Sequence, residues 1–356
     1  MTDHSTQLQT LRGQIDQINL QLLELLNQRA EVAAQIGKVQ SAMGSGFYDP
    51  EREGNMLNTL QLNNKGPFSN ETIKGLFREI FRASLELEET QDRQRYLFQK
   101  RDANHHTVIE LANGAVIGDG SFITVTGPCA VESVEQMEAA AEALNARGIK
   151  IIRGMAFKPR TSPYDFQGLG EEGLQIARTV ADKYNMAVTS EIMDLSQIDM
   201  MSQYVDLFWV GARNMQNSFL LKALGKVKQP VFLKRSFGAN YEEWLYAAEY
   251  IISSGNPNVI LIERGIRTYE KWTRNTLDIS AVPAVKSVSH LPIIVDVSHS
   301  AGRRDLALPL AKAAKAVGAD GLMVEVHPNP AVAMSDAKQQ LNFAQFNELM
   351  DALEAM

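Results

Sequence analysis

Up to about residue 95, apolar side chains return every third and fourth position. Leu8, Leu11, Ile15, Ile18, Leu22, Leu25, Arg29, Val32, Ile36 and Val39 keep this spacing without a slip, which marks the seam of one long amphipathic helix. Gly44 and Gly46 supply a stop. "YDPERE" then opens a second helix, with Asp49 as N-cap and Pro50 at the first helical position. "NNKGPFSNE" breaks the pattern, and a third helix runs from Asn70 into the Glu-rich "SLELEETQ". The first helix would be about 50 Å long. Three helices cannot enclose it in a compact bundle, so the pattern predicts packing against another subunit. One seam position is anomalous, because Arg29 stands where an apolar residue belongs. It is either a register device or an anion ligand in the bundle core, and periodicity does not choose between the two. Arg12, Lys38 and Arg52 lie in the same region and are available to join it.

After residue 100 the rhythm changes. "VIELANGAVIGDG" reads as a hairpin with Asn113 and Gly114 in its turn. Short β-rich runs then alternate with amphipathic helices: "FITVTG", "KIIRG", "AVTSEI", "LFWVGA", "PVFLK", "VILIE", "PIIVDV" and "GLMVEV". Such alternation predicts an α/β fold, a closed (β/α)8 TIM barrel behind an all-α three-helix domain. An open doubly wound sheet is the competing arrangement, but no G-x-G-x-x-G follows the first strand. The expected organisation is a helical domain over 1–95, a linker and hairpin over 96–121, and the barrel over 122–356.

Composition narrows the class. The chain is 45% hydrophobic and 22% charged, with no apolar run long enough to span a bilayer and no signal-peptide pattern at its start. A single cysteine in 356 residues rules out an internal disulfide framework and suits a reducing cytoplasm. The net charge of −7 argues against nucleic acid as a partner. Basic residues nevertheless cluster in "FKPRTSP", "GARN", "LKR", "ERGIR" and "GRRD", which points to small anionic ligands, phosphates above all.

Functional groups of a (β/α)8 barrel gather at the C-terminal ends of its strands, and the unusual residues here fall there. Cys129 follows the first strand, and Arg153, Lys158 and Arg160 the second. Glu191, Arg213, Lys234 with Arg235, and Glu263 with Arg264 follow in turn. Asp296 with His299 and Glu325 with His327 close the series. Cys129, His299, Glu325 and the nearby Asp336 are a mixed donor set suited to Mn2+, Fe2+, Co2+ or Zn2+. Arg153, Lys158, Arg160, Arg213, Lys234 and Arg264 are too cationic to share one cavity without an anion.

Several stretches together resemble type I beta 3-deoxy-D-arabino-heptulosonate 7-phosphate (DAHP) synthase: "GPCAVES", "RGMAFKPRTSPYDFQGLG", "GARNMQN", "LKRS", "ERGIRTYEKWTRNTLDISAVP", "DVSHSAGRRD" and "EVHPNPAVAMSD". Residues 5 to 92 resemble an AroQ-type chorismate mutase. The resemblance implies condensation of phosphoenolpyruvate with erythrose 4-phosphate, the first step toward aromatic amino acids. It implies a divalent metal, Mn2+ first, on Cys129, His299, Glu325 and Asp336. Arg153, Lys158, Arg213, Lys234 and Arg264 would bind phosphoenolpyruvate, and Arg160, Thr161 and Ser162 the aldose phosphate. Lys158 would carry a proton, on the expectation that surrounding arginines lower its pKa. In the helical region Arg12, Arg29, Lys38, Asp49, Arg52, Ser84 and Glu88 would form a chorismate or prephenate pocket in a homo-oligomer, a dimer through this domain and a tetramer overall.

Some positions depart from the family pattern. Met155, Ser236 and Ile262 replace the more usual Gly, Gly and Cys, and the expectation is altered loop packing with unaltered chemistry. Gln40 stands for a pocket lysine and Glu88 for a glutamine, which favours binding of the effector over mutase catalysis. The rival aldose specificity, that of 3-deoxy-manno-octulosonate 8-phosphate synthase, goes with "KANRS" where this chain has "KPRTS". A barrel without activity, acting as a scaffold for the mutase region, is the alternative from another class.

Overall fold

The computed structural model describes residues 2–43, 48–93, 96–160, 162 and 164–356, without the side chains of 2, 3, 41–43 and 88–93. They form two compact units, Met1–Tyr96 and Leu97–Met356.

The first unit is three helices, α1 (Thr2–Met43), α2 (Pro50–Asn63) and α3 (Asn70–Arg93). The stop expected from Gly44 and Gly46 lies outside the described residues. Asp49 caps α2, its side chain accepting from Arg52 N at 2.9 Å, a device worth about 1 kcal/mol. Helix α1 packs on α3 through its C-terminal half, where Ala33 is buried. Arg29 meets α3 as well: its guanidinium lies 5.1 Å from the Phe81 ring centroid and bonds Ser84 Oγ. Leu8, Leu11, Ile15, Ile18, Leu22 and Leu25, the start of the seam, stand 49–61% exposed within this chain.

The second unit opens with a hairpin, β1 (Ile109–Glu110) and β2 (Val116–Ile117), turning at Asn113 and Gly114. Eight parallel strands follow as a closed barrel: β3 (Ile123–Gly127), β4 (Ile151–Arg153), β5 (Ala187–Ile192), β6 (Leu207–Val210), β7 (Val231–Lys234), β8 (Val259–Glu263), β9 (Ile293–Asp296) and β10 (Gly321–Glu325). Each pairs with its sequence neighbour, and β10 closes on β3. Every strand is apolar and buried almost throughout, as expected when helices cover the outer face and side chains fill the inner one. The hairpin plugs one end. Ile109, Leu111, Ala115 and Ile117 join the inner core with Val125, Ile151, Leu207 and Phe232. Asn113 Nδ2 donates to the carbonyls of Lys150 and Asn185, just ahead of β4 and β5. The plugged end is therefore the N-terminal one, and the opposite mouth is left for chemistry. Among the described residues no helix is long and apolar enough to cross a membrane.

The segment before the hairpin is tied to the plugged end by His290. Its Nε2 donates to Leu97 O at 2.6 Å, its Nδ1 meets Thr107 Oγ1 at 2.6 Å, and the His105 ring lies 4.2 Å away. Burial, aided by the nearby His105 and Arg101, holds the His290 pKa below its ordinary value. The folded state thus favours the neutral ring. This contribution to stability is full above the unfolded value of about 6.5 and is lost as pH falls through the lower folded value. Thermal melts of wild type and His290→Gln between about pH 5 and 8 should show a shallower acid-side decline in the variant; parallel curves would remove His290 from the explanation.

Candidate active site

The C-terminal mouth is built by loops that leave each strand. Gly127 ends β3 with φ +145°, and a Cβ there would lie 2.3 Å from Arg153 O. Only glycine fits so close to β4, and the turn places Pro128 and Cys129 over the barrel. The Cys129 amide then donates to Gln340 Oε1 at 3.0 Å.

Cys129, His299, Glu325 and Asp336 converge, with one ligand atom from each inside a 4.8 Å span. The supporting contacts point these atoms inward. His299 Nδ1 donates to Asp296 Oδ2 at 2.8 Å, which leaves the lone pair on Nε2. That nitrogen lies 3.3 Å from Glu325 Oε1. Glu325 Oε2 is held by Gln339 Nε2 at 2.6 Å, while Oε1 accepts no well-directed hydrogen bond. Asp336, in the left-handed region at φ +48°, sets Oδ2 3.1 Å from Cys129 Sγ. Burial holds His299 below its ordinary pKa, and so neutral. Burial first, and then Glu325, push the Cys129 thiol up. Glu325 and Asp336 are held below the carboxylate range, their nearby cations outweighing burial. A buried and a half-buried carboxylate, a lone pair and a thiol facing one another fit a divalent cation, which would also release the thiol proton.

Beside the quartet lies a cavity of about 180 Å3, lined in part by Lys158, Arg160, Arg213, Lys234 and Arg264. Arg264 Nη1 is buried and has no partner, as are Arg153 Nε and Nη1; orphan cationic donors of this kind mark an anion site. Burial lowers the Arg264 pKa to about 10, still charged at neutral pH. Lys234, whose pKa burial also lowers, pairs with Asp296 Oδ2 at 2.7 Å. Arg153 is fully buried and pairs with Glu325 Oε1 at 3.0 Å. Arg160 reaches the cavity but also bonds Ser335 Oγ at 2.9 Å and lies 3.3 Å from Asp165 Oδ2. Ser162 is outside the lining, its Oγ accepting from Tyr164 N, and Thr161 is outside the described residues.

Three sequence expectations need revision. The Lys158 pKa is not lowered. Burial acts in that direction, but Cys129, Glu325 and Asp336 outweigh it and the net shift is upward. Its Nζ lies 2.9 Å from Cys129 Sγ and 3.7 Å from Asp336 Oδ2, so acids rather than arginines surround it. Met155 is more than loop packing: it lines the cavity and its Sδ lies 3.4 Å from Lys158 Nζ. Lastly, not every charge at a strand end faces the cavity. Arg235 turns away to Glu263 and Asp278, at 2.9 and 2.8 Å, and His327 pairs with Glu132 at 3.2 Å.

Several lining residues escaped the sequence reading. Trp209 on β6 was legible only as a strand residue, Phe237 carried no local motif, and Arg274 lies within "ERGIRTYEKWTRNTLDISAVP" but was given no role. Phe237 gathers the guanidiniums of Arg213, Arg264 and Arg267 at 5.8, 4.5 and 5.0 Å. Arg274 bonds both Asp336 and Gln339.

The helical unit has its own cavity, of about 450 Å3, lined by Arg29, Asp49, Arg52 and Ser84 together with Gln40, Glu53 and Arg78. Arg12 and Lys38 are not in that lining, and the Glu88 side chain is outside the described residues.

Residues 106–356 match the DAHP synthetase I family, and residues 11–89 match chorismate mutase type II. A phospho-2-dehydro-3-deoxyheptonate aldolase of Thermotoga maritima is 53% identical over 250 residues, 70% of this chain and 74% of that protein. A 2-dehydro-3-deoxyphosphooctonate aldolase of Trichlorobacter lovleyi is 28% identical, over 69% of this chain and 97% of its own. The crystal structure of a DAHP synthase from Thermotoga maritima superposes with a TM-score of 0.70 at 51% identity, covering 73% of this chain and 76% of the other. A truncated form of that organism's synthase gives 0.68 at 47% identity, covering 73% and 95%.

The quartet makes a spectroscopic prediction. Co2+ added to the wild-type protein should give a sulfur-to-cobalt charge-transfer band, absent from a Cys129→Ser variant with the same far-ultraviolet circular dichroism. The band's survival in the variant would show that Cys129 is only packed.

Proposed function

The chain belongs to the DAHP synthetase I family and carries a chorismate mutase type II domain, and on that premise we propose a metal-dependent synthase under feedback control. The reaction is condensation of phosphoenolpyruvate with erythrose 4-phosphate and water, giving DAHP and inorganic phosphate. The observation that carries this reading is the Cys/His/Glu/Asp quartet beside a cationic cavity in which the buried Arg264 Nη1 has no hydrogen-bond partner. A divalent metal held by Cys129, His299, Glu325 and Asp336, Mn2+ first and Fe2+, Co2+ or Zn2+ as alternatives, would polarise the aldehyde oxygen of the aldose.

The chain's own residues then do the following. Arg213, Lys234 and Arg264 hold phosphoenolpyruvate, with Arg153 at its carboxylate end, and Arg160, Thr161 and Ser162 take the aldose phosphate. The enol C3 forms a carbon–carbon bond to the aldehyde carbon, water adds at C2, and the C2–O bond to phosphate breaks. The cations stabilise the charge that develops at each stage. Lys158, kept protonated by its acidic neighbours, is placed to deliver a proton to the aldehyde oxygen as it becomes a hydroxyl.

The helical unit is a sensor for chorismate or prephenate in this reading. Arg29 and Arg52 in its cavity suit a dicarboxylate, whereas Gln40 in place of a cation weakens the case for mutase catalysis. Arg12, remote from that lining within one chain, would complete the pocket of a second subunit across the exposed seam of α1, in a dimer that further pairs into a tetramer. The enzyme would work in the cytoplasm, where its one thiol stays reduced.

Phosphate release from the two substrates tests the barrel. Activity should be lost to a chelator and restored by Mn2+, and Lys158→Met should lower kcat by about a hundred- to ten-thousand-fold. Chelator-insensitive turnover, or near-normal turnover of the lysine variant at saturating substrate, would sink the assignment concerned. Prephenate should slow the same assay, and Arg29→Ala should raise the half-inhibiting concentration by about tenfold or more; indifference of the wild-type enzyme to both chorismate and prephenate would remove the sensor.

A further inference from the structure

Trp209 lies at the floor of the cavity, 1% exposed, in the middle of the apolar barrel interior. Two buried cations share its ring. The Arg153 guanidinium carbon is 4.5 Å from the ring centroid and the Lys234 ammonium 4.1 Å. Both are held elsewhere by acids, Arg153 by Glu325 and Lys234 by Asp296. Asp296 also fixes the His299 ring. One indole therefore touches the cation attached to a quartet carboxylate and the cation attached to the carboxylate that orients the quartet imidazole.

We propose that Trp209 is a positioning residue for phosphoenolpyruvate binding, its π face holding Arg153 and Lys234 toward the cavity against the pull of Glu325 and Asp296. A ring face attracts a desolvated cation without neutralising it. A carboxylate attracts the same cation but cancels its charge. With the ring removed, Lys234 keeps its carboxylate and Arg153 its carboxylate and the Cys129 carbonyl, and the competition shifts away from an incoming anion. Met155 continues this floor beside Lys158; of the two cations on the ring Lys234 lines the cavity, and Arg153, fully buried outside the lining, keeps Nε and Nη1 free of hydrogen bonds.

This inference rests on the substrate assignment proposed above, and two separate readouts tell them apart. Phosphate release by the wild-type enzyme judges the assignment, and binding of phosphoenolpyruvate to Mn2+-loaded full chain by calorimetry judges Trp209. Trp209→Phe, which keeps a ring, should bind phosphoenolpyruvate within about threefold of wild type. Trp209→Met, apolar and flexible but without a π face, should bind about tenfold more weakly and raise KM for phosphoenolpyruvate alone. The KM for erythrose 4-phosphate should stay unchanged in both. Because either substitution can disturb packing, a second series leaves the shape intact. Incorporating fluorinated tryptophans, which withdraw charge from the ring, should weaken phosphoenolpyruvate binding progressively in wild type and leave the Trp209→Phe chain unaffected. Equal losses for Phe and Met, or affinity indifferent to fluorination, would overturn the role of the ring. Turnover by the wild-type enzyme with either of these results leaves the substrate assignment standing and removes only Trp209.

Discussion

Charge burial at the C-terminal mouth of the barrel is the constraint on which the site depends. Arg153, Lys234, Glu325 and Asp296 are all almost inaccessible, and an isolated ion in such surroundings would cost several kcal/mol. Each is tolerable because its neighbour has the opposite sign or a polarisable face. Arg153 leans on Glu325 and Trp209, Lys234 on Asp296 and Trp209, and His299 on Asp296. The ion pairs reach over an intervening strand, Arg153 of β4 to Glu325 of β10 and Lys234 of β7 to Asp296 of β9. The quartet's ligand atoms and the Arg264 guanidinium, whose Nη1 has no hydrogen-bond partner, stand side by side at this mouth; on the reading proposed above they serve a metal and a phosphate ester.

The two units use sequence in different ways. The barrel closes on itself, so the apolar faces of its strands are satisfied within the chain. The helical unit leaves Leu8 to Leu25 of its seam exposed, whereas the expectation of a partner subunit rested on the length of the first helix. Arg29 answers the question its seam position raised: it caps the transition from exposed seam to packed helix, with its charge on Phe81 and Ser84 at the edge of a cavity.

Much of this was legible in the chain because barrel chemistry is carried by strand ends. A run such as "VILIE" declares a buried strand and the two residues after it declare the mouth, so the converging quartet could be assembled from residues more than 200 positions apart, Cys129 to Asp336. Which way a strand-end side chain turns was not legible. Lys234 and Arg235 are adjacent, yet one enters the cavity and the other forms a separate ion pair behind it. Strand alternation sets that choice, and the register is fixed only by pairing with β6 and β8. The protonation of Lys158 was misjudged for the same reason: sequence places it among arginines, whereas the turn after β4 points it at Cys129 and Asp336. Trp209 was missed because an aromatic residue inside an apolar run looks like core, and here it is core that also meets two charges.

The solitary cysteine has a consequence beyond ligation. Cys129 is the one thiol of the chain, and a sulfenic acid formed from its thiolate would have no second cysteine within the chain with which to form a disulfide. Rescue would come from a thiol outside the chain, before further oxidation becomes irreversible. The catalytic lifetime of each molecule would then be tied to the redox state of its surroundings through a single sulfur atom.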